Sequence, residues 1–336
     1  MYGDVPLWLS LAFVVGGLAA LAWSSDLFVA GSAALARSLG ISPFVIGMVV
    51  IGFGTSAPEL CVSVMSGISG HTDLSLGNAY GSCAFNVAVI LGVSAMILPL
   101  AVRPAVSFVA APALMAISLF SFFVLKDGVC SRGDAAIMLA AFAVLLPAYC
   151  LFEGKTRPSA HRSPDSAGSE TANGDSGRSI AIAVVKTAVG LAVLVGSSHI
   201  LVWGSVGLAR YMGVSDLVIG LTVVAVGTSL PELASAVASA RRGENDFVLG
   251  NIVGSNFFNM LAVVGLATVI SPSHGFSKYI LSRDLPVIFG MSLSIMLFGA
   301  NWRSPGKPGV ITRLKAVVWL LAFAAYACAM VWQETR

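Results

Sequence analysis

Shifted by 173 residues, the chain matches itself without a gap: residues 24–92 align with 197–265, and 32 of 69 positions are identical. Internal repetition of this kind dictates architecture before any element is assigned. The first copy reads GTSAPEL from Gly54 to Leu60 and LGNAYGSCAFN from Leu76 to Asn86. The second reads GTSLPEL from Gly227 to Leu233 and LGNIVGSNFFN from Leu249 to Asn259. Apolar helices resemble one another by chance in Leu, Val and Ala. Here the shared residues include Thr, Ser, Pro, Glu and Asn, so the likeness lies in chemistry.

The solvent around these copies follows from composition. Of 336 residues, 57% are hydrophobic and 10% charged, against about 25% charged in a soluble chain. Such a chain cannot cover a water-facing surface, so it is an integral membrane protein. A spanning helix needs about 20 apolar residues. Ten segments qualify: 7–34, 43–68, 75–98, 105–125, 134–152, 180–210, 216–240, 247–270, 284–301 and 312–332. The predicted fold is therefore an all-α membrane protein with ten transmembrane helices. Five helices, an odd number, separate equivalent points, so the copies face opposite ways. Residues 1–152 and 180–336 form two inverted five-helix repeats, an architecture that places binding sites near the membrane midplane.

Between the repeats, residues 153–179 are rich in Ser, Gly, Pro, Asp and Arg, and are predicted to be a disordered linker. With ten spans, the connections on the linker's side hold 12 Lys and Arg against 6 on the other. The positive-inside rule places the linker in the cytoplasm and both termini outside. The first residues carry Asp4 and no basic residue, unlike a secretory leader, so the apolar run 8–23 is expected to remain as the first helix. A net charge of +3 gives no reason to expect nucleic acid as a partner. The five cysteines form no CxxC pair or Cys/His cluster, so neither a zinc site nor a redox cofactor is expected.

Glu59 and Glu232 occupy matching places in otherwise apolar segments. A carboxylate at the bilayer centre costs ~3 kcal/mol on the most lenient scale, and a matched pair calls for a function. Each follows a proline. Pro58 and Pro231 have no N–H, so the carbonyls of Gly54 and Gly227 lose their helical donors. Broken backbone at membrane depth is tolerated where it lines a cavity. Thr55 and Glu59 stand four residues apart on one helix face, as do Thr228 and Glu232, with Ser56 and Ser229 beside them. The next helix of each copy carries Asn78, Ser82, Asn86 and then Asn251, Ser255, Asn259. Gly77, Gly81, Gly250 and Gly254 border this stripe and permit close packing. Blander readings exist for each feature: a protonated structural glutamate, a proline kink satisfied by Ser and Thr, and interhelical hydrogen bonds from Asn78 and Asn251. Pooled, the groups are two carboxylates, amide oxygens, hydroxyls and freed carbonyls. An all-oxygen set suits hard cations, and calcium takes 6–8 such ligands. Two glutamates balance one divalent charge, or sodium ions sharing the same cage.

With these motifs, GTSAPEL with GNAYGSCAFN and GTSLPEL with GNIVGSNFFN, the chain resembles the sodium/calcium exchanger family of the calcium/cation antiporters, in a prokaryotic-type member with a short linker. The resemblance implies a ten-helix fold with four ion sites clustered at its centre. It implies Glu59 and Glu232 as acidic calcium ligands, and oxygens from Thr55, Ser56, Ser82, Thr228, Ser229 and Ser255 on calcium or sodium. Backbone carbonyls of Gly52 and Ala225 complete the implied sites, and Asn86 and Asn259 end each core. Many sodium-coupled relatives carry an aspartate at one of these last two positions, whereas this chain has Asn at both.

The expected function is antiport of Ca2+ against Na+ across the inner membrane by alternating access, with protons as the alternative counter-ion. Gly31, Ser32 and Gly40, matched by Gly204, Ser205 and Gly213, suggest that the first and sixth helices slide against the core. A cation channel is disfavoured because this chain builds its own two-fold site. An enzyme is disfavoured because no nucleophile–base pair is visible. No cofactor is expected beyond the transported ions.

Overall fold

A computed structural model of the chain describes residues 6–156, 176–212 and 225–334. It is predominantly helical. Helix α1 (Leu7–Leu39) starts behind Pro6 and stops at Gly40, whose φ of 64° breaks the helix in a left-handed cap. Ser42 then caps the next helix, accepting from the Val45 N–H at 3.2 Å, with Pro43 in the first turn. This helix, α2 (Pro43–Thr55), meets α3 (Ala57–Ile68) at a 42° bend. Pro58 sits in the first turn of α3, so the break lies where a donor is missing from the ladder.

The chain continues through α4 (Thr72–Ile97), β1 (Leu100–Val102), α5 (Val106–Leu125) and α6 (Arg132–Thr156). Beyond it come α7 (Ser176–Tyr211), α8 (Ala225–Thr228), α9 (Leu230–Arg241) and α10 (Asn245–Ile270). The chain ends with α11 (Ile280–Gly299), β2 (Gly309–Ile311) and α12 (Arg313–Glu334). Among the described residues, eight helices are long and apolar enough to cross a membrane, and the bent pair α2–α3 makes a ninth. The expected span 216–240 is present as α8 and α9, broken at Ser229 ahead of Pro231. Its first part lies outside the described residues, as do Gly213 and most of the linker.

Burial separates core from periphery. In their most apolar windows, 89% of α10 and 72% of α4 are buried, against 17% of α6 and α12. The matched helices of the two copies therefore form the centre. The peripheral helices expose Val144, Leu151, Val185 and Leu321, a surface suited to lipid chains. Helices α1 and α7 run antiparallel in close contact. A Cβ on Gly17 would lie 2.9 Å from Leu201, on Gly31 2.6 Å from Thr187, on Gly190 2.6 Å from Phe28, and on Gly204 2.7 Å from Ser10. Only glycine admits backbones this near.

Two short pairings tie the connections. β1 pairs antiparallel with β2, Ala101 opposite Val310, and Cys130 bridges Ser273. β1 follows α4 and Ser273 follows α10, the matching helix of the other copy.

The linker boundary differs from the sequence expectation. Residues 153–156 continue α6, and α7 already begins at Ser176. Glu153, expected in the solvated linker, is 1% exposed and forms an ion pair with Arg103 at 2.5 Å. Arg103 also bonds Asp246 at the start of α10, at 2.8 Å, and stands 5.3 Å from the ring centre of Phe44. Burial works to lower the pKa of Arg103, but Asp246 and Glu153 outweigh it and raise the pKa above its ordinary value. The compensated charge lets the helix run past the last apolar residue.

Candidate cation site

The two prolines that break the spans also place the carboxylates. Glu59 and Glu232 fall in the first turns of α3 and α9, facing the helix starts, where the dipole favours negative charge. Both are fully buried. Each is held by the serine at the break of the other copy. Ser56 Oγ donates to Glu232 Oε1 at 2.9 Å, and Ser229 Oγ donates to Glu59 Oε1 at 2.9 Å. The copies are thus joined at the site by a reciprocal clasp. Ser82 Oγ adds a 3.3 Å contact to Ser229 Oγ.

The freed carbonyl of Gly227 accepts from Ser198 Oγ of α7 at 2.9 Å, which is how a proline break at depth is satisfied. On α2, the Gly52 carbonyl accepts from Ser255 Oγ at 3.2 Å and from the Ser56 N–H at 3.2 Å. Ala225, whose carbonyl is the other expected backbone cation ligand, opens α8. Glycine is required where α2 crosses α10: a Cβ on Gly250 would lie 2.3 Å from the Phe44 carbonyl, and one on Gly254 2.2 Å from the Met48 carbonyl.

The asparagines sort into two pairs. Asn78 donates to the Glu59 carbonyl at 3.1 Å and to Ser63 Oγ at 2.9 Å. Asn251 donates to the Glu232 carbonyl at 3.3 Å and to Ser235 Oγ at 3.1 Å. Their Oδ1 atoms lie 3.4 Å from the hydroxyls of Thr228 and Thr55 respectively. This pair braces the backbone that carries the glutamates, the interhelical role weighed from the sequence. Asn86 and Asn259 behave differently. Each begins or lies in a π-helical turn, Asn86–Ile90 and Phe258–Val263, a distortion frequent at functional sites. Asn86 Nδ2 donates to Asn256 Oδ1 at 3.0 Å, so Asn256 joins a set that the sequence reading omitted.

Among the glutamate and asparagine side chains expected at the site, four buried oxygens are left without a hydrogen-bond partner: Glu59 Oε2, Glu232 Oε2, Asn86 Oδ1 and Asn259 Oδ1. Among the described residues, neither glutamate has a basic ion-pair partner. A buried polar oxygen costs free energy unless something positive meets it, and a carboxylate costs far more. Two carboxylates with two amide oxygens fit a hard cation. Among the described residues no cluster of three or more His, Cys, Asp or Glu stands anywhere in the fold.

The sodium/calcium exchanger protein family model matches residues 9–149 and 182–332. The chain is 37% identical to the putative antiporter CaxA of Alkalimonas amylolytica, over 94% of this chain and 96% of that protein. It is 35% identical to the inner membrane protein YrbG of Escherichia coli, over 93% and 96%. Identity to the sodium/calcium exchanger MaX1 of Methanosarcina acetivorans is 30%, over 91% and 95%. A solved structure of the sodium-calcium exchanger NCX_Mj, soaked with zero Na+ and Ca2+, matches with a TM-score of 0.81 at 28% identity. That match covers 97% of this chain and all of the other.

Proposed function

The chain belongs to the sodium/calcium exchanger protein family, and on that premise we propose that it is a secondary antiporter exchanging Ca2+ for Na+ at the Glu59–Glu232 site. The observation that carries the reading is the reciprocal clasp. Each carboxylate spends one oxygen on the opposing serine and keeps the other buried without a partner. Two carboxylates neutralise one Ca2+, which then crosses low-dielectric surroundings without net charge. Discharge on the far side requires that the pair be neutralised again, by sodium ions or by protons. That requirement couples the two fluxes. Oxygens of Thr55, Ser56, Ser82, Thr228, Ser229, Ser255, Asn86 and Asn259, with the Gly52 and Ala225 carbonyls, complete the cage.

Ten spans in two inverted repeats, with the segment between α6 and α7 as the cytoplasmic link and both termini outside, give the fold its two-fold site. Alternating access follows if α1 and α7, joined through their glycines, slide as one pair past α4 and α10. The inner membrane is the proposed location, as for the relative named an inner membrane protein.

Protons are the alternative counter-ion, favoured by the neutral Asn at both 86 and 259, which leaves Glu59 and Glu232 as the titratable groups of the cage. The test is calcium uptake by purified protein in liposomes under separately imposed sodium and proton gradients. Uptake driven by outward sodium supports the proposal. Uptake driven by protons alone supports the alternative. Calcium leakage with no counter-ion on the opposite side would refute both and indicate a channel.

A further inference from the structure

We propose that Asn256 is a positioning residue of the cation site: it fixes which end of the Asn86 amide meets the ion, while Cys83 leaves Asn259 without the same brace. The inference rests on the antiport reading and deepens it, because it makes the two halves of a two-fold site unequal.

The orientation follows from hydrogen-bond chemistry alone. A backbone carbonyl can only accept, so the Asn256 amide nitrogen must face the Cys83 carbonyl, 3.4 Å away. Asn256 Oδ1 is thereby turned toward Asn86, which must present its own NH2, at 3.0 Å. Asn86 Oδ1 is then left on the opposite side, buried and without a partner. Asn86 lies four residues beyond Ser82, on the same face of α4, and Ser82 touches Ser229, which holds Glu59. Asn86 therefore presents an amide oxygen, rather than an amide nitrogen, on its side away from Asn256. A cation needs that end.

Asn259 has no such constraint. In the alignment of the copies Asn86 matches Asn259, and Asn256 matches Cys83. The Cys83 thiol lies 3.3 Å from the carbonyl of Ala79 in its own helix and 4.0 Å from the Asn256 carbonyl. It offers no amide oxygen to the Asn259 nitrogen. Both side-chain polar atoms of Asn259 are accordingly buried and unpartnered. Asn86 is a fixed oxygen ligand, and Asn259 can present either its oxygen to a cation or its NH2 to a carboxylate.

The test uses the full chain in proteoliposomes and reads half-saturating calcium and maximal rate separately. Asn256→Cys removes the brace and should raise half-saturating calcium about tenfold, the worth of one oriented hydrogen-bond partner, with the maximal rate within about twofold. Cys83→Asn should brace Asn259 and lower half-saturating calcium several-fold. The swapped double variant, Asn256→Cys with Cys83→Asn, moves the brace to the other copy and should return half-saturation close to that of the parent. A purely packing role would leave the swap as impaired as Asn256→Cys, and that result, or a half-saturation within twofold of the parent in Asn256→Cys, overturns the proposal. If Asn256→Cys does not fold, an unchanged half-saturation in Cys83→Asn overturns it equally. A parent protein that moves no calcium under any gradient would instead refute the antiport reading, and the inference would fall with it.

Discussion

Replacing Ser56 or Ser229 by alanine tests the clasp without touching either charge. Each hydroxyl donates to the carboxylate of the other copy at 2.9 Å, and both serines are essentially buried. A hydrogen bond to a charged group contributes about 1.5–3 kcal/mol, equivalent to roughly 10–150-fold in affinity. The lower part of that range applies, because a bound cation itself helps to orient the carboxylate. Ser56→Ala should raise half-saturating calcium by about tenfold. Ser229→Ala should cost more, since Ser229 also meets Ser82 at 3.3 Å, whereas Ser255, the counterpart of Ser82, turns to the Gly52 carbonyl instead. The assay is initial calcium uptake into sodium-loaded liposomes at graded external calcium, with thermal unfolding as the control for folding. The reasoning fails if half-saturation is unchanged or lower in both variants. In that case the hydroxyls stabilise only the ion-free pair and compete with the cation.

Three further outcomes follow from the geometry. Arg103→Gln removes the guanidinium that pairs with the buried Glu153 carboxylate, which should cost about 3 kcal/mol, the low end for breaking a buried ion pair because Arg103 is partly exposed. Thermal unfolding in detergent should show a lowered Tm, partly recovered by adding Glu153→Gln, and an unchanged Tm would refute it. Gly254→Ala drives a methyl to within 2.2 Å of the Met48 carbonyl, so α2 must move off α10 at a cost of about 1–3 kcal/mol. The same unfolding assay checks this against Gly77→Ala, where no described atom lies within 4 Å. Asn259→Asp adds a third carboxylate that must itself be neutralised, so calcium uptake should become inhibited by lowering pH and should respond more steeply to sodium. A pH and sodium dependence matching the parent would place Asn259 outside the site.

The features most legible in the sequence are those that repeat. Glu59, Glu232, their prolines and their serines occur twice, and the structure brings the four serine and glutamate side chains into contact across the copies. The bracing role of Asn78 and Asn251 was one of two readings open from spacing, and only the partners, the glutamates' own carbonyls, decide it. Asn256 escaped because the comparison of copies weighs what they share, and its counterpart is Cys83. Glu153 escaped for a different reason. Its neighbours in sequence are polar, and the charge that permits its burial, Arg103, lies 50 residues away in another connection. The β1–β2 pairing is equally invisible to periodicity, since three-residue strands whose paired centres, Ala101 and Val310, lie 209 residues apart carry no local signal.

The central claim is that Glu59 and Glu232 together hold the divalent ion, and calcium binding to purified protein by titration calorimetry tests it without transport. Parent protein should bind calcium at the site, and sodium should compete. Glu59→Gln and Glu232→Gln keep side-chain volume while removing half the compensating charge, so each should abolish measurable binding in protein that still unfolds cooperatively. Calcium binding at parental strength in either folded variant would contradict the account.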